Sequence, residues 1–236
     1  MNKKLKGLIF DADGTLIDSM SYWMKLTPRY LESKGKKSTK ELEMKIFSMS
    51  LEHGVEFLKS EFNLEESQDE IKNELLSIIF DFYNKEIPLK PGVFEFLSKM
   101  KKLGIPMAVA TSGNENLLNA AFSRLGCSDF FRKIVTCGQL NTDKSKPDIY
   151  LHLTDFFNAK PEEIVVFEDA LLPIQTVKNA GFNVVAVHDE SSSKNQSEIQ
   201  KTADIFIQDF NSPELTQFFT NFLTDFIEKS IVEERK

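Results

Sequence analysis

The hydrophobic positions of the chain alternate between short apolar runs and stretches with helical spacing. The runs, each suited to a buried strand, lie at residues 8–10, 105–110, 134–136, 164–167, 184–187 and 205–207. Between the later runs, apolar residues recur at helical spacing, as at Leu117, Ala121 and Leu125. Alternating strands and helices predict parallel strands joined by right-handed crossovers. The expected fold is an open, parallel, Rossmann-like α/β sheet with helices on both faces.

One long interval interrupts this alternation. Residues 19–88 contain no strand-like run, although a crossover between parallel strands needs only about a dozen residues. Helical periodicity covers residues 22–33, 51–62 and 67–84. Pro91 and Gly92 mark the return to the α/β pattern. We therefore expect an α/β catalytic core of residues 1–18 and 89–236, with residues 19–88 forming an inserted all-helical cap domain.

The C-terminal segment from Pro213 onward predicts an amphipathic helix. Its apolar residues recur at spacings of three and four: Leu215, Phe218, Phe219, Phe222, Leu223, Phe226 and Ile227. Such a helix either packs on the body of the protein or binds a partner.

Composition excludes several classes of protein. The chain has 36 acidic and 29 basic residues, a net charge of -7, so its surface as a whole repels nucleic acid. No apolar stretch is long enough to span a membrane, and the N-terminal run stops at Asp11, too early for a signal peptide. We expect a cytoplasmic protein with no membrane partner. The two cysteines, Cys127 and Cys137, are expected to be reduced packing residues. Oligomeric state is left open.

Two acids follow the first apolar run. Asp11 and Asp13 are two positions apart, so in an extended segment their side chains share a face. Two carboxylates so close need a cation or a shared proton, and Mg²⁺ is commonly held by one or two carboxylates. The alternative is an acidic turn in which Asp13-Gly14 serves only as punctuation.

Polar groups also follow the next three runs. They are Thr111, Ser112 and Gly113 after the second run, Lys144 and Lys146 after the third, and Glu168 and Asp169 after the fourth. Because parallel strands end at one edge of a sheet, and open α/β sheets bind ligands there, these groups are expected to meet. Hydroxyls and backbone N–H groups ahead of a helix suit phosphate, although an ordinary helix cap has the same pattern.

These four segments together resemble the haloacid dehalogenase superfamily. Its phosphatases carry an Asp-x-Asp-Gly-Thr motif, a Thr or Ser after the second strand, a Lys and a terminal acidic pair. The match covers residues 5–209, and the insert after the first motif resembles the helical cap of the β-phosphoglucomutase-like branch. The resemblance implies a Mg²⁺-dependent phosphatase that acts on a small phosphorylated metabolite.

The resemblance also implies roles for individual residues. Asp11 would be the nucleophile that becomes an aspartyl phosphate, and Asp13 the general acid and base. The metal-binding group would be Asp11, Asp13 through its backbone carbonyl, and Asp169, with Glu168 as a direct or indirect helper.

The phosphate oxygens would be bound by Thr111 and by the backbone of Ser112 and Gly113, with a lysine neutralising their charge. Relatives commonly read Lys-Pro-x-Pro-Asp, which aligns Lys144 with the functional lysine. Ser145 stands where the first proline is usual, so Lys146 remains an alternative.

Other functions stay open at this point. β-Phosphoglucomutase uses the same core with a cap histidine, and the corresponding position here is Trp23, with no histidine nearby. This difference favours a phosphatase over a sugar-phosphate mutase. An inorganic pyrophosphatase would differ only in its leaving group. A phospho-accepting regulatory domain is disfavoured because Asp13 is suited to hydrolysing an aspartyl phosphate.

Overall fold

A computed structural model of the chain describes residues 5–220 and 222. The chain divides into two compact units. One comprises Met1–Asp18 and Pro88–Lys236, and the other is Ser19–Ile87. Among the described residues, no helix is long and apolar enough to cross a bilayer.

The first unit is built on a six-stranded sheet. Its strands are β1 (Gly7–Phe10), β2 (Met107–Thr111), β3 (Lys133–Thr136), β4 (Ile164–Glu168), β5 (Asn183–Val187) and β6 (Ile205–Ile207). The spatial order is β3-β2-β1-β4-β5-β6, and every neighbouring pair is parallel. The predicted open parallel α/β sheet is confirmed. Chain order reverses between β1 and β4, so the edge at which these two strands end is the expected ligand site of such a sheet.

Nine α-helices have both of their ends within the described residues. They are α1 (Met20–Ser33), α2 (Lys40–Phe47), α3 (Leu51–Phe62), α4 (Gln68–Asp81), α5 (Val93–Lys102), α6 (Glu115–Arg124), α7 (Asp148–Phe156), α8 (Leu171–Asn179) and α9 (Gln196–Thr202). Shorter elements are the π-helical turn Phe82–Glu86 and the 3₁₀ turns Ser128–Phe130, Gly138–Leu140, Pro161–Glu163 and Glu190–Asn195. Residues 213–220 are also helical.

Alternate strand residues separate the core of the first unit into two layers, as the period of a β-strand requires. On one face, Ile9 and Val166 pack in a buried cluster that includes Ile149 of α7 and Ile174 of α8. This apolar layer is one of two, and burial on both faces explains why these strands read as uninterrupted hydrophobic runs.

The opposite face is aromatic. Phe10 stacks on Phe167 with ring centroids 4.5 Å apart, and Phe96 of α5 lies 5.4 Å from Phe167. Phe219, from helical residues 213–220, lies 5.5 Å from Phe96 and is buried. The described part of the C-terminal segment thus packs on the body of its own unit. The predicted helix residues Leu223, Phe226 and Ile227 lie outside the described residues.

The second unit consists of α1 to α4 and the π-helical turn, and none of residues 19–87 is in a strand. Side-chain caps start three of its helices: Thr39 accepts from Leu42 N, and Ser50 accepts from His53 N. Ser67 begins α4 with a capping box, an arrangement that satisfies two otherwise unpaired backbone donors. Helix α2 is absent from our sequence-based prediction because it is only eight residues long and has no buried residue, so it offers a short apolar pattern.

Cys127 is expected to resist alkylation in the native protein. Its side chain is fully buried, and burial raises the pKa of the thiol to about 11. Since the thiolate is the reactive form, only about one molecule in 10³ would be reactive at pH 8. Peptide mass spectrometry after iodoacetamide treatment checks this, with protein unfolded in guanidinium as the control. Labelling of native Cys127 as fast as that of unfolded protein would contradict the prediction.

Candidate active site

The site begins where β1 and β4 end. Phe10 pairs with Phe167 in the parallel register, so the next residues, Asp11 and Glu168, stand side by side. The backbone N–H of Asp11 donates to the Phe167 carbonyl at 2.9 Å, which extends the ladder to the first functional residue. Asp169 follows directly. A rigid pair of buried strands therefore carries three acids to the edge at which chain order reverses.

The three acids form one buried cluster. Asp11, Glu168 and Asp169 each offer a carboxylate oxygen, and these oxygens lie within 4.8 Å of one another. The exposed fractions of the three residues are 6%, 1% and 6%. The Thr15 hydroxyl donates to Asp169 Oδ1 at 3.1 Å, which orients that carboxylate. Carboxylates are rarely so buried unless they are paired or hold a cation.

Lys144 provides the positive charge of the cluster. Its buried Nζ contacts Asp11 Oδ1 and donates to Glu168 Oε1 at 2.6 Å. The Tyr150 hydroxyl, on α7, donates to the same Glu168 oxygen at 2.6 Å. Of the two lysines considered from the sequence, Lys144 is the one brought to the acids, whereas Lys146 is exposed. Ser145, in place of the usual proline, closes a local turn by donating its backbone N–H to Asp143 Oδ1 at 2.8 Å.

The charges in the cluster are not balanced. Burial, together with the charges of Asp11 and Glu168, raises the pKa of Asp169 well above its usual range. Burial also raises the pKa of Glu168, although Lys144 opposes this effect. For Lys144, burial acts to lower the pKa, but the two neighbouring carboxylates outweigh it and raise the pKa. One ammonium group thus does not neutralise three carboxylates.

This donor set fits Mg²⁺, the ion implied by the family resemblance. Mg²⁺ prefers oxygen ligands and is usually held by one or two carboxylates with water and substrate phosphate. Asp11, Glu168 and Asp169 supply such oxygens, and a divalent cation would supply the positive charge that the cluster lacks. Asp13, whose predicted contribution was a backbone carbonyl, is not one of these three carboxylates.

The loop after β1 turns tightly around Ala12. The Ala12 carbonyl accepts hydrogen bonds from the backbone N–H groups of Leu16 and Ile17 at 2.9 and 3.0 Å. Gly14 has a φ of 88°, a left-handed conformation that favours glycine. The Asp13-Gly14 turn considered from the sequence is therefore real, and it holds Asp13 half-buried beside the site rather than in open solvent.

Asp13 lies close to the residues that follow β2. A Cβ atom on Gly113 would be 2.8 Å from Asp13 Oδ2, so any larger residue would displace the Asp13 carboxylate from its present position. The Gly113 N–H donates to Thr111 Oγ1 at 2.9 Å, and the adjacent Asn114 caps α6. Thr111 is buried, while Ser112 and Gly113 are exposed. Acid, hydroxyl and backbone N–H groups therefore meet at one place, as expected from the strand ends.

Four residues at or near the site were given no role from the sequence: Thr15, Tyr150, Lys90 and Asp189. Thr15 belongs to the Asp-x-Asp-Gly-Thr motif, so its presence there was a usable signal. Tyr150 had none, because its contact with Glu168 depends on the path of α7. Lys90 and Asp189 form a buried ion pair, in which Lys90 Nζ lies 2.9 Å from Asp189 Oδ2. The Asp189 charge contributes to the raised pKa of Asp169.

Comparisons with known proteins agree with this architecture. The family model described as haloacid dehalogenase-like hydrolase matches residues 8–187. The chain therefore belongs to the haloacid dehalogenase-like hydrolase family, as the motifs predicted.

Among similar proteins is the phosphorylated carbohydrates phosphatase of Thermotoga maritima, 28% identical over 192 residues, covering 80% of this chain and 89% of that protein. Hexitol phosphatase A of Escherichia coli is 28% identical over 202 residues, covering 83% and 89% respectively. A crystal structure described as a putative β-phosphoglucomutase from Thermotoga maritima has a TM-score of 0.77 and 28% identity, covering 85% of this chain and 93% of that one.

Proposed function

We propose that the protein is a Mg²⁺-dependent phosphatase that hydrolyses a small phosphorylated metabolite through an aspartyl phosphate on Asp11. The observation that carries this proposal is the buried contact of Asp11 with Lys144 beside Glu168 and Asp169. The Lys144 ammonium group in contact with Asp11 offsets the repulsion between the Asp11 carboxylate and an anionic phosphate. The phosphatases among the relatives support the same reaction class.

In the first step, a carboxylate oxygen of Asp11 forms a bond to phosphorus while the bond from phosphorus to the leaving oxygen breaks. Asp13 gives its proton to that leaving oxygen. In the second step, the Asp13 carboxylate takes a proton from water, and the water oxygen attacks phosphorus. The bond between the Asp11 oxygen and phosphorus breaks as the water oxygen adds, so inorganic phosphate leaves and the Asp11 carboxylate is regenerated. The position of Asp13 against Gly113 supports its use at the phosphate end of the site.

The remaining groups bind and orient phosphate. The Lys144 ammonium neutralises charge on the transferred group, and Thr111 with the backbone of Ser112 and Gly113 would hold the phosphate oxygens. Mg²⁺, when held by Asp11, Asp169, Glu168 and the Asp13 carbonyl, would shield the repulsion between phosphate and the carboxylates. Thr15 orients Asp169 and Tyr150 orients Glu168, each by a hydrogen bond from its hydroxyl group.

A sugar-phosphate mutase is the second candidate, because one similar structure is described as a putative β-phosphoglucomutase. Trp23 stands where the mutase has its cap histidine, and its indole N–H donates to the Tyr83 hydroxyl at 3.2 Å. An indole cannot exchange a proton at neutral pH as a histidine can. This residue therefore favours hydrolysis.

Phosphate release across a substrate panel tests the proposal. The panel contains sugar phosphates, nucleoside monophosphates, phosphoglycolate and pyrophosphate, each assayed with Mg²⁺ and with a chelator. We expect release only with the metal and from monoesters. Isomerised sugar phosphate without release would favour the mutase, and release from pyrophosphate alone would favour a pyrophosphatase. No turnover of any compound would count against an enzyme of this class.

The two neighbouring lysines offer a matched pair of variants. Lys144→Met is expected to lower kcat by about 10² to 10³-fold, because a buried cation aimed at the reacting phosphate is lost. Lys146→Met makes the same change on an exposed side chain and should stay within about twofold of wild type. Circular dichroism verifies that both variants fold, and Lys144→Gln serves as a second, polar replacement. Equal losses at both positions would contradict the role given to Lys144.

A further inference from the structure

The helical unit contains a cavity of about 330 Å³ that is formed entirely by its own residues. Its apolar lining includes Trp23 and Leu26 of α1, Leu58 of α3 and Leu75 of α4. Leu26, Leu58 and Leu75 are buried, so the floor lies inside the helix bundle. The polar residues of the lining are Thr27, Glu43 and Ser50. Phe47 and Ser50 also line the cavity and are exposed, so it is an apolar pocket that opens to solvent and not an enclosed void.

Gly54 keeps this cavity open. It lies inside α3 and lines the cavity, although glycine is unfavourable in a helix interior. Its φ is not positive, so the backbone does not require glycine. An added Cβ would meet only Ile46 Cγ2, at 3.5 Å, an ordinary contact. Neither backbone strain nor crowding explains the glycine, and a side chain here would project into the cavity.

We propose that this cavity is a binding site for a neutral molecule with a compact apolar body, of one ring or two fused rings, carrying a hydroxyl group. The size follows from volume, since an apolar cavity of about 150 Å³ holds one benzene. We assign Glu43 and Ser50 of the lining as acceptors for the hydroxyl, in addition to the hydrogen bonds that they accept from Ser38 and from the His53 N–H. Because Ser50 and Phe47 line the cavity and are both exposed, they give the ligand an entry route. The proposal concerns binding and does not depend on phosphatase activity.

Trp23 makes binding directly observable. It is the only tryptophan in the chain, so intrinsic tryptophan fluorescence reports on this cavity alone. Cyclohexylmethanol and benzyl alcohol serve as probes, with glycerol as the polar control, and calorimetry gives an independent Kd. We expect the two ring alcohols to bind with a Kd on the order of 1 mM or tighter, and glycerol not to bind.

Filling the cavity tests the assignment of the site. Gly54→Leu should weaken binding of both ring alcohols at least about 10-fold, because its side chain occupies the cavity. His53→Leu adds the same side chain at the adjacent exposed position of α3 and should leave Kd unchanged. Gly54→Ala, which makes only an ordinary contact, is the milder variant if Gly54→Leu fails to fold. No binding by wild type, or equal Kd in wild type and folded Gly54 variants, would overturn the proposal.

Such a ligand is either the leaving group of the substrate or a separate effector, and KM measurements distinguish the two. If benzyl phosphate is hydrolysed with a lower KM than glycerol phosphate, and Gly54→Leu raises that KM alone, the ligand is the leaving group of the substrate. If the ring alcohols bind but KM values do not depend on the ring, the ligand is a separate effector. Both results require the cavity to bind the apolar body. Binding is measured without turnover. Failure of the proposed phosphatase activity would therefore appear in the phosphate-release assay, whereas failure of the cavity to bind would appear in fluorescence and calorimetry.

Discussion

Asp11→Asn is expected to abolish phosphate release, with a loss of at least about 10⁴-fold in kcat. The amide is nearly the same size as the carboxylate but is a very poor nucleophile, so no aspartyl phosphate can form. The variant should still fold. The Asp11 charge contributes to the raised pKa values of Glu168 and Asp169, so its removal lowers repulsion in the cluster. Steady-state phosphate release on the best substrate of the panel measures the effect.

Asp155→Asn is the matched control for this variant. It makes the same chemical change at an exposed position of α7 and should stay within about twofold of wild type. Thermal unfolding followed by circular dichroism separates lost chemistry from lost structure. A folded Asp11→Asn protein with wild-type activity would rule out Asp11 as the nucleophile and with it the proposed mechanism.

Asp13→Asn is expected to lower kcat by up to about 10⁴-fold while leaving Asp11 able to accept phosphate from an activated substrate. The asparagine can neither protonate the leaving oxygen nor take a proton from the attacking water. With a good leaving group such as 4-nitrophenol, which needs little protonation, the first step should continue and the second should stall. The phosphoryl-enzyme should therefore accumulate, and mass spectrometry after acid quenching would detect it.

The double variant Asp11→Asn with Asp13→Asn supplies the control, because it should carry no phosphoryl group. An adduct in the double variant would place the phosphate on another residue. A long-lived adduct in the wild type, without turnover, would instead favour the phospho-accepting regulatory domain considered from the sequence. Rapid loss of the adduct from Asp13→Asn would remove Asp13 from the hydrolytic step.

Strand positions in this protein are determined mostly by local sequence. The predicted run 205–207 coincides with β6, and the run 164–167 differs from β4 only by omitting Glu168. Strand β4 is buried throughout and therefore appears in the sequence as an uninterrupted apolar run, and the edge strand β6 is also wholly apolar although it is only partly buried. Helix α2 was missed, because its eight residues, none of them buried, are too few to show a clear helical period.

The family and the chemical types at the strand ends were also determined by the sequence itself. A motif such as Asp-x-Asp-Gly-Thr is local, and the parallel sheet brings the ends of its strands to one edge. What only the tertiary structure decided was which side chains touch. The choice of Lys144 over Lys146 depends on how the turn at Ser145 directs each side chain, and the contact of Tyr150 with Glu168 depends on the packing of α7.

The cavity beside Trp23 is the clearest case of this division. The sequence contains a glycine inside a predicted helix, but whether that glycine leaves space depends on the side chains of three other helices. Periodicity records which face of a helix is apolar, and it carries no information about how completely the opposing faces fill the space between them. Binary patterning therefore determined the layers and the strand ends, while volume, contact and charge balance were decided by tertiary packing.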